Sequence, residues 1–209
     1  ANRFEQAMTE RNATVDYSRA VSRAAGAAEA RVVVEEMKAL GIDNAFALTS
    51  PVFFLQLLSE ANTQDFHPLW TGIGLTMTFD TVATVACRND DTVRARFFSP
   101  YPAFADRDRF DPNFDRAVAR FHSPRDADDF MWQLWAQSRI LREMLERTGR
   151  RLTRNRFVSS VERSTIKTGI VPKLVYRPSD HFGGAAVHVL KLDCAQRRWV
   201  TNRAFVRDF

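Results

Sequence analysis

A strand that hands over to a helix within three residues constrains this chain more than any other feature. In DNAFALTSPVFFLQLLSEAN, from Asp43 to Asn62, residues 44–48 are short and mostly apolar, as in a strand covered on both faces. Ser50 suits a helix N-cap, and Pro51 suits the first helical position, where a missing N–H costs nothing. Phe53, Phe54, Leu57, Leu58 and Ala61 then recur at helical spacing. The Thr49 and Ser50 hydroxyls are thereby expected at the carboxyl end of a strand, the edge where open α/β sheets bind ligands.

The rest of the chain repeats this alternation. An opening helix to about residue 12 precedes an extended stretch over residues 14–22. A helix is predicted over residues 27–40, with Val33, Met37 and Leu40 inward and Gly41 as its C-cap. HPLWTGIG supplies the next strand, so Trp70, Thr71 and Gly72 are expected at its carboxyl end, with Gly72 and Gly74 leaving room for a ligand. Strands separated by such helices predict a parallel sheet with flanking helices, an α/β fold, up to about residue 86. VRARFFSP adds a strand, and the Pro- and Asp-rich YPAFADRDRFDPNF leads to the longest helical pattern, residues 126–148. Its inward face is expected to hold Phe130, Trp132, Leu134, Trp135, Ile140, Leu141, Met144 and Leu145, with Gly149 closing it. RNRFVSSVERS reads as a short helix, and AAVHVLKLD with RWVTNRAF as a terminal hairpin.

Several chemistries find no support. There is no G-x-S-x-G elbow, and TGIG matches neither the dinucleotide nor the P-loop spacing. The histidines at 67, 122, 181 and 188 share no metal-ligand spacing. The acids of DADD, residues 126–129, stand at a helix start, where capping explains them better than paired catalysis. Trp132 and Trp135 fit a core better than a ligand platform. The net charge of +5 comes from arginines interleaved with acids, densest in RTGRRLTRNR, and reads as a solvated surface and not a nucleic-acid site. No apolar run approaches the roughly eighteen residues of a membrane helix. Cys87 and Cys194 lie far apart, with no CxxC pattern, as two buried thiols or one disulfide. The polar opening, with neither N-cap nor leader, suggests part of a longer protein.

In order and spacing, EARVVVEEMKALGIDNAFALTSPVFFLQLLSEA, HPLWTGIG, ARFFSPYPAF and GIVPKLVYRPSDHFGGAAVHVLKLDC resemble the second part of a type I periplasmic substrate-binding protein. The likeness is strongest to the branched-chain amino acid (Leu/Ile/Val) binding family of ABC importers. It implies one α/β lobe plus part of a second: residues 1–97 as most of the C-terminal lobe, 98–104 as a hinge crossing, 105–185 as part of the N-terminal lobe, and 186–209 as a hairpin returning to the C-terminal lobe. The 105–185 helices would then expose apolar surface, lacking their own sheet.

The resemblance further implies export to the periplasm or cell surface, which favours a Cys87–Cys194 disulfide. It implies a small-molecule solute and a membrane permease as partners, no cofactor, and a monomeric full-length protein. Ser50 matches a ligand-contacting position, with Thr49 beside it, and Thr71 to Ile73 match the next strand-end loop. That loop commonly carries an acid for the ligand's ammonium, and here Ile73 stands at or beside the place, with Asp80 the nearest acid downstream. Burying an unpaired ammonium against isoleucine is costly, so Phe53, Trp70 and Ile73 suggest a more apolar or aromatic solute. Thr49, Ser50, Trp70, Thr71 and Ile73 are therefore expected to contact the ligand, with Phe104 and His181 as further contacts near the hinge. A sensor domain of the same fold and an α/β enzyme with an unrecognised site are the alternative readings.

Overall fold

The computed structural model describes residues 2–22, 24, 26–89, 92–123 and 126–207. The last two positions of the expected terminal segment, 208 and 209, lie outside them. Eight α-helices are described: α1 (Asn2–Thr9), α2 (Ala27–Ala39), α3 (Pro51–Thr63), α4 (Asp80–Asn89), α5 (Arg107–Phe110), α6 (Asn113–Val118), α7 (Asp129–Thr148) and α8 (Arg154–Glu162). The strands are β1 (Asn44–Ala47), β2 (Leu69–Ile73), β3 (Arg94–Ser99), β4 (Thr165–Ile166), β5 (Leu174–Val175), β6 (Val187–Asp193) and β7 (Arg198–Val206).

The main sheet runs β1-β2-β3-β6-β7. β1, β2 and β3 are parallel neighbours, and the β6–β7 hairpin joins the β3 edge antiparallel. Strand alternation decides which side chains reach the core. Ala45, Ala47, Trp70, Ala95 and Phe97 point to one face, where they meet Val34, Met37, Phe54, Leu57 and Ala83 of α2, α3 and α4. Phe54 packs edge-on against Trp70 and Phe97 with centroids 5.7 and 5.4 Å apart, and Phe97 meets Trp199 at 5.3 Å. Cys87 of α4 is bonded to Cys194 at the end of β6, with an S–S distance of 1.99 Å.

A second core lies beyond β3. Phe114, Val118, Trp132, Ala136, Ile170 and Val171 are buried together, with Phe114 and Trp132 in edge contact at 5.2 Å. The chain enters this layer through Pro102 and Ala103, and the Trp132 indole N–H donates to the Pro102 carbonyl at 3.1 Å.

Residues 14–22 are neither helix nor strand; Tyr17 packs against the first core and donates to Glu36 Oε2 of α2. Two expectations are corrected. Leu40 is exposed, because α2 ends at Ala39 and Leu40 turns outward as its C-cap. In α7, Trp132 and Ala136 face inward while Phe130, Leu134, Leu141 and Leu145 are exposed. Periodicity located an apolar helix but not the side that finds a partner. Among the described residues, no helix is long and apolar enough to cross a membrane.

Candidate functional site

The parallel register aligns the strand ends. Ala47 pairs with Gly72 and Gly72 with Phe97, so the chain leaves β1, β2 and β3 along one edge, at residues 48–50, 74–75 and 100–101. Ser50 takes extended backbone (φ −72°, ψ 153°), and its Oγ accepts from the Phe53 amide at 3.2 Å. This is the cap expected from Ser50-Pro51, and the side chain remains exposed. Thr49 is half-buried beside it. Leu48, at 73% exposure, and exposed Val52, Ile73 and Leu75 give the same edge an apolar rim.

The other residues singled out from sequence fall elsewhere. Trp70 and Phe53 belong to the first core, since alternation and helical phase turn both toward the helix-covered face. Thr71 lies mid-strand, opposite Phe46 and Arg96, and its hydroxyl donates to Asn44 Oδ1 at 3.2 Å, toward the strand starts. The glycines leave no room for a ligand: a Cβ on Gly72 would stand 2.5 Å from the Ala47 oxygen and 2.7 Å from Phe97, and one on Gly74 would collide with Thr78. They are required by close packing of the chain on itself. Phe104 is half-buried near the crossing, its ring 4.4 Å beneath the Arg107 guanidinium carbon and in edge contact with Phe114. His181 is exposed and lies 3.2 Å from Glu162 of α8.

The amino-terminal part of α7 closes on this edge. Gln133 Nε2 donates to the Leu75 carbonyl at 3.1 Å, and Phe130 and Leu134 flank it on the exposed side. Between the strand ends and α7 remains a hollow of about 10 Å³, lined by Thr78, Ser99, Tyr101, Phe104, Asp129 and Gln133 among others. That is room for at most one water. A larger hollow of about 620 Å³ opens at the opposite edge, among Lys38, Asp43, His67 and Arg94, where the strands begin. It lies at the end of the sheet where the strands begin, whereas open α/β sheets hold ligands outside the carboxyl ends of their strands.

Two acids beside the edge are committed to backbone. Asp80 Oδ1 accepts from the Trp199 amide at 2.9 Å, and Asp129 Oδ2 accepts from the Asp80 amide at 3.0 Å. Burial raises the Asp80 carboxyl above its ordinary value, against the opposing pull of the Trp199 amide, Arg198 and Arg107. Burial likewise pushes Asp129 up to about 7, the Asp80 amide opposing it and the Asp80 and Asp128 charges adding to it. Sequence reasoning expected DADD to cap a helix. Asp128 does so, accepting from the Met131 amide at 2.8 Å, whereas Asp129 reaches across to a different helix. No local spacing signals that contact. His188 is packed inside, between Phe110 and Phe205, with Nε2 donating to the Ile170 carbonyl at 2.9 Å. Among the described residues, no three His, Cys, Asp or Glu side chains group as metal ligands.

No protein-family model matches the chain, and no curated protein sequence matches it. Solved structures do. A branched-chain amino acid ABC transporter from Thermus thermophilus, with bound valine, aligns over 97% of this chain and 55% of its own, with a TM-score of 0.74 and 11% identity. An ABC transporter permease from the Pseudomonas fluorescens group aligns over 96% and 52%, with a TM-score of 0.73 and 16% identity. A solute-binding protein of an ABC transporter from R. palustris, in complex with benzoate, aligns over 100% and 56%, with a TM-score of 0.67 and 15% identity. The chain spans about half the length of each. Over that length it has the α/β fold of a type I periplasmic binding protein.

Proposed function

We propose that this chain forms the sheet-side wall and hinge of an extracytoplasmic solute-binding protein that delivers a small organic solute to an ABC permease. In this reading residues 1–97 with the hairpin of 186–209 form one lobe, residues 98–104 cross the hinge, and 105–185 belong to a second lobe. The exposed apolar stripe of α7 fits a helix whose opposing sheet lies outside the chain. The observation carrying the proposal is the strand-end edge, where Thr49 and Ser50 offer polar groups beside exposed Leu48, Val52, Ile73 and Leu75. Pockets for small molecules combine an apolar lining with a few placed polar groups in this way. Solved structures of like fold that hold valine and benzoate support a small-molecule solute. The Cys87–Cys194 bond supports an oxidising compartment.

The same edge bears on the kind of solute. An amino acid brings an ammonium that needs a counter-charge once desolvated. Asp80 and Asp129 are both engaged by backbone amides and raised by burial. This wall therefore suits an apolar or aromatic solute better than one that brings an ammonium. Thermal denaturation with benzoate, phenylalanine and valine tests this, because a ligand that binds only the native state raises the melting temperature. Benzoate is expected to raise it more than either amino acid. Equal or larger shifts with the amino acids would reject the solute class, and no shift with any of these or with other small carboxylates would reject the function.

A further inference from the structure

The basic run RTGRRLTRNR differs from the other arginine-bearing segments once it is folded. Outside it, arginines are repeatedly matched to acids, as Arg19 is to Glu36, Arg107 to Asp115 and Arg142 to Glu146. Arg147, in the last turn of α7, is matched to Glu143. From residue 148 to residue 161 the sequence holds no acid. Among the described residues, Arg150, Arg151, Arg154 and Arg156 have no ion-pair partner. The net charge of the chain is +5, so these four carry most of the excess. α7 ends at Thr148, Gly149 turns the chain, and α8 starts at Arg154 and packs back against α7. Residues 149–156, which make this corner, are all exposed. Local stability does not ask for the charges. Arg154 and Arg156 stand in the first turn of α8, where the helix dipole favours acids, and the Thr153 hydroxyl already caps that end by accepting from the Arg156 amide at 3.3 Å. Leu152 is 58% exposed in their midst. We propose that this corner is a docking surface for an anionic phospholipid membrane: the arginines meet the headgroup phosphates, and Leu152 enters the interface between them.

Crowded like charges repel one another until something anionic lies against them. Nucleic acid fits poorly, because the Cys87–Cys194 bond supports an oxidising compartment. An acidic protein fits less well than a bilayer. No neighbouring side chain holds the four guanidiniums in place among the described residues, so each would lose rotamer freedom to meet a fixed carboxylate. Lipid headgroups are mobile and adjust to the arginines instead, and a cluster of four basic residues is enough to hold an anionic bilayer by summed attraction. An apolar side chain among cations is also how interfacial segments anchor. At about 1.5 Å per helical residue, the corner lies about 20 Å along α7 from Gln133 and the strand-end edge, so docking leaves that edge open. That a membrane lies at hand rests on the solute-binding reading, in which the partner is a permease; the docking itself needs no solute.

Co-sedimentation of the full chain with vesicles tests it, using phosphatidylcholine alone and equal parts of phosphatidylcholine and phosphatidylglycerol. Binding is expected to the mixed vesicles and not to phosphatidylcholine alone, and it should fall steeply as salt rises from about 50 to about 500 mM. Each of Arg150→Gln, Arg151→Gln, Arg154→Gln and Arg156→Gln should weaken it about fivefold, and all four together more than about a hundredfold. Leu152→Ser should weaken binding and leave its salt dependence as it was. Arg11→Gln, Arg88→Gln, Arg120→Gln and Arg207→Gln combined remove the same charge from scattered exposed positions and should weaken binding less than about threefold. Equal binding to both vesicle types, indifference to salt, or an equal loss in the scattered variant would overturn the proposal. So would tighter binding to poly-glutamate than to the mixed vesicles at equal charge, which would assign the corner to an acidic protein. If the fourfold corner variant does not fold, the single variants decide: about fivefold each supports the docking surface, and no change in any refutes it. Failure of benzoate to bind would leave this result standing and count only against the solute-binding reading.

Discussion

Cutting the Cys87–Cys194 bond is the sharpest perturbation of the sheet layer. The cysteines are 107 residues apart in sequence with Cα atoms 5.1 Å apart, so the bond closes a long loop around β3, the helical layer and β6. In the chain-entropy account, a loop of that length removes about 4.7 kcal/mol of unfolded-state freedom at 25 °C. The native state offers a second reason for a large effect. α4 is held to the hairpin at one end by Asp80 and the Trp199 amide, and near the other by the disulfide. Freeing the second tie leaves Asp80 to carry the attachment. Cys87→Ala/Cys194→Ala should lower stability by about 3–5 kcal/mol, which for a domain of this size is a fall of about 10 °C in melting temperature. Urea titration followed by tryptophan fluorescence measures it, with reduced wild type as a second route to the same state. A loss below about 1 kcal/mol by both routes, or two free thiols in the oxidised protein by mass spectrometry, would refute the reasoning.

Other perturbations separate local chemistry from packing. Ser50→Ala removes the cap on the Phe53 amide and should cost about 1 kcal/mol in urea unfolding, while Ser50→Asp should recover most of it. Gly72→Ala forces a methyl against the Ala47 carbonyl and the Phe97 ring, so a loss of about 1–3 kcal/mol is expected by the same assay; a neutral outcome would mean that Ala47 and Phe97 do not crowd Gly72. His188 is held down to about 4, chiefly by burial, and so is neutral when folded. Unfolded, it takes a proton below about 6.5, so its contribution to stability is full above that value and falls by up to about 3 kcal/mol as pH drops toward 4. His188→Gln should flatten that part of the pH profile, and an unchanged acid slope would contradict the assignment.

The features legible in the sequence were those decided locally. Ser50-Pro51 fixes a helix start by its own hydroxyl and ring, and the hairpin is visible in two alternating runs. The α/β class follows from the strand and helix alternation in the same way. Trp70 and Thr71 show the limit. They lie within β2, but only the neighbouring helices decide that Trp70 goes inward and Thr71 turns to Asn44. In α7 an apolar arc extends around much of the helix, and Phe114 with Ile170 selects the Trp132 side. The Asp129 contact lay beyond sequence reasoning altogether, because it joins helix starts 49 residues apart.

The central claim is that solute meets the carboxyl ends of β1, β2 and β3. Backbone amide shift mapping during titration with benzoate tests it most directly. The account predicts changes concentrated at residues 48–50, 52 and 73–75, with Lys38, His67 and Arg94 unmoved. Changes centred on those three residues instead, at the opposite edge of the sheet, would contradict it.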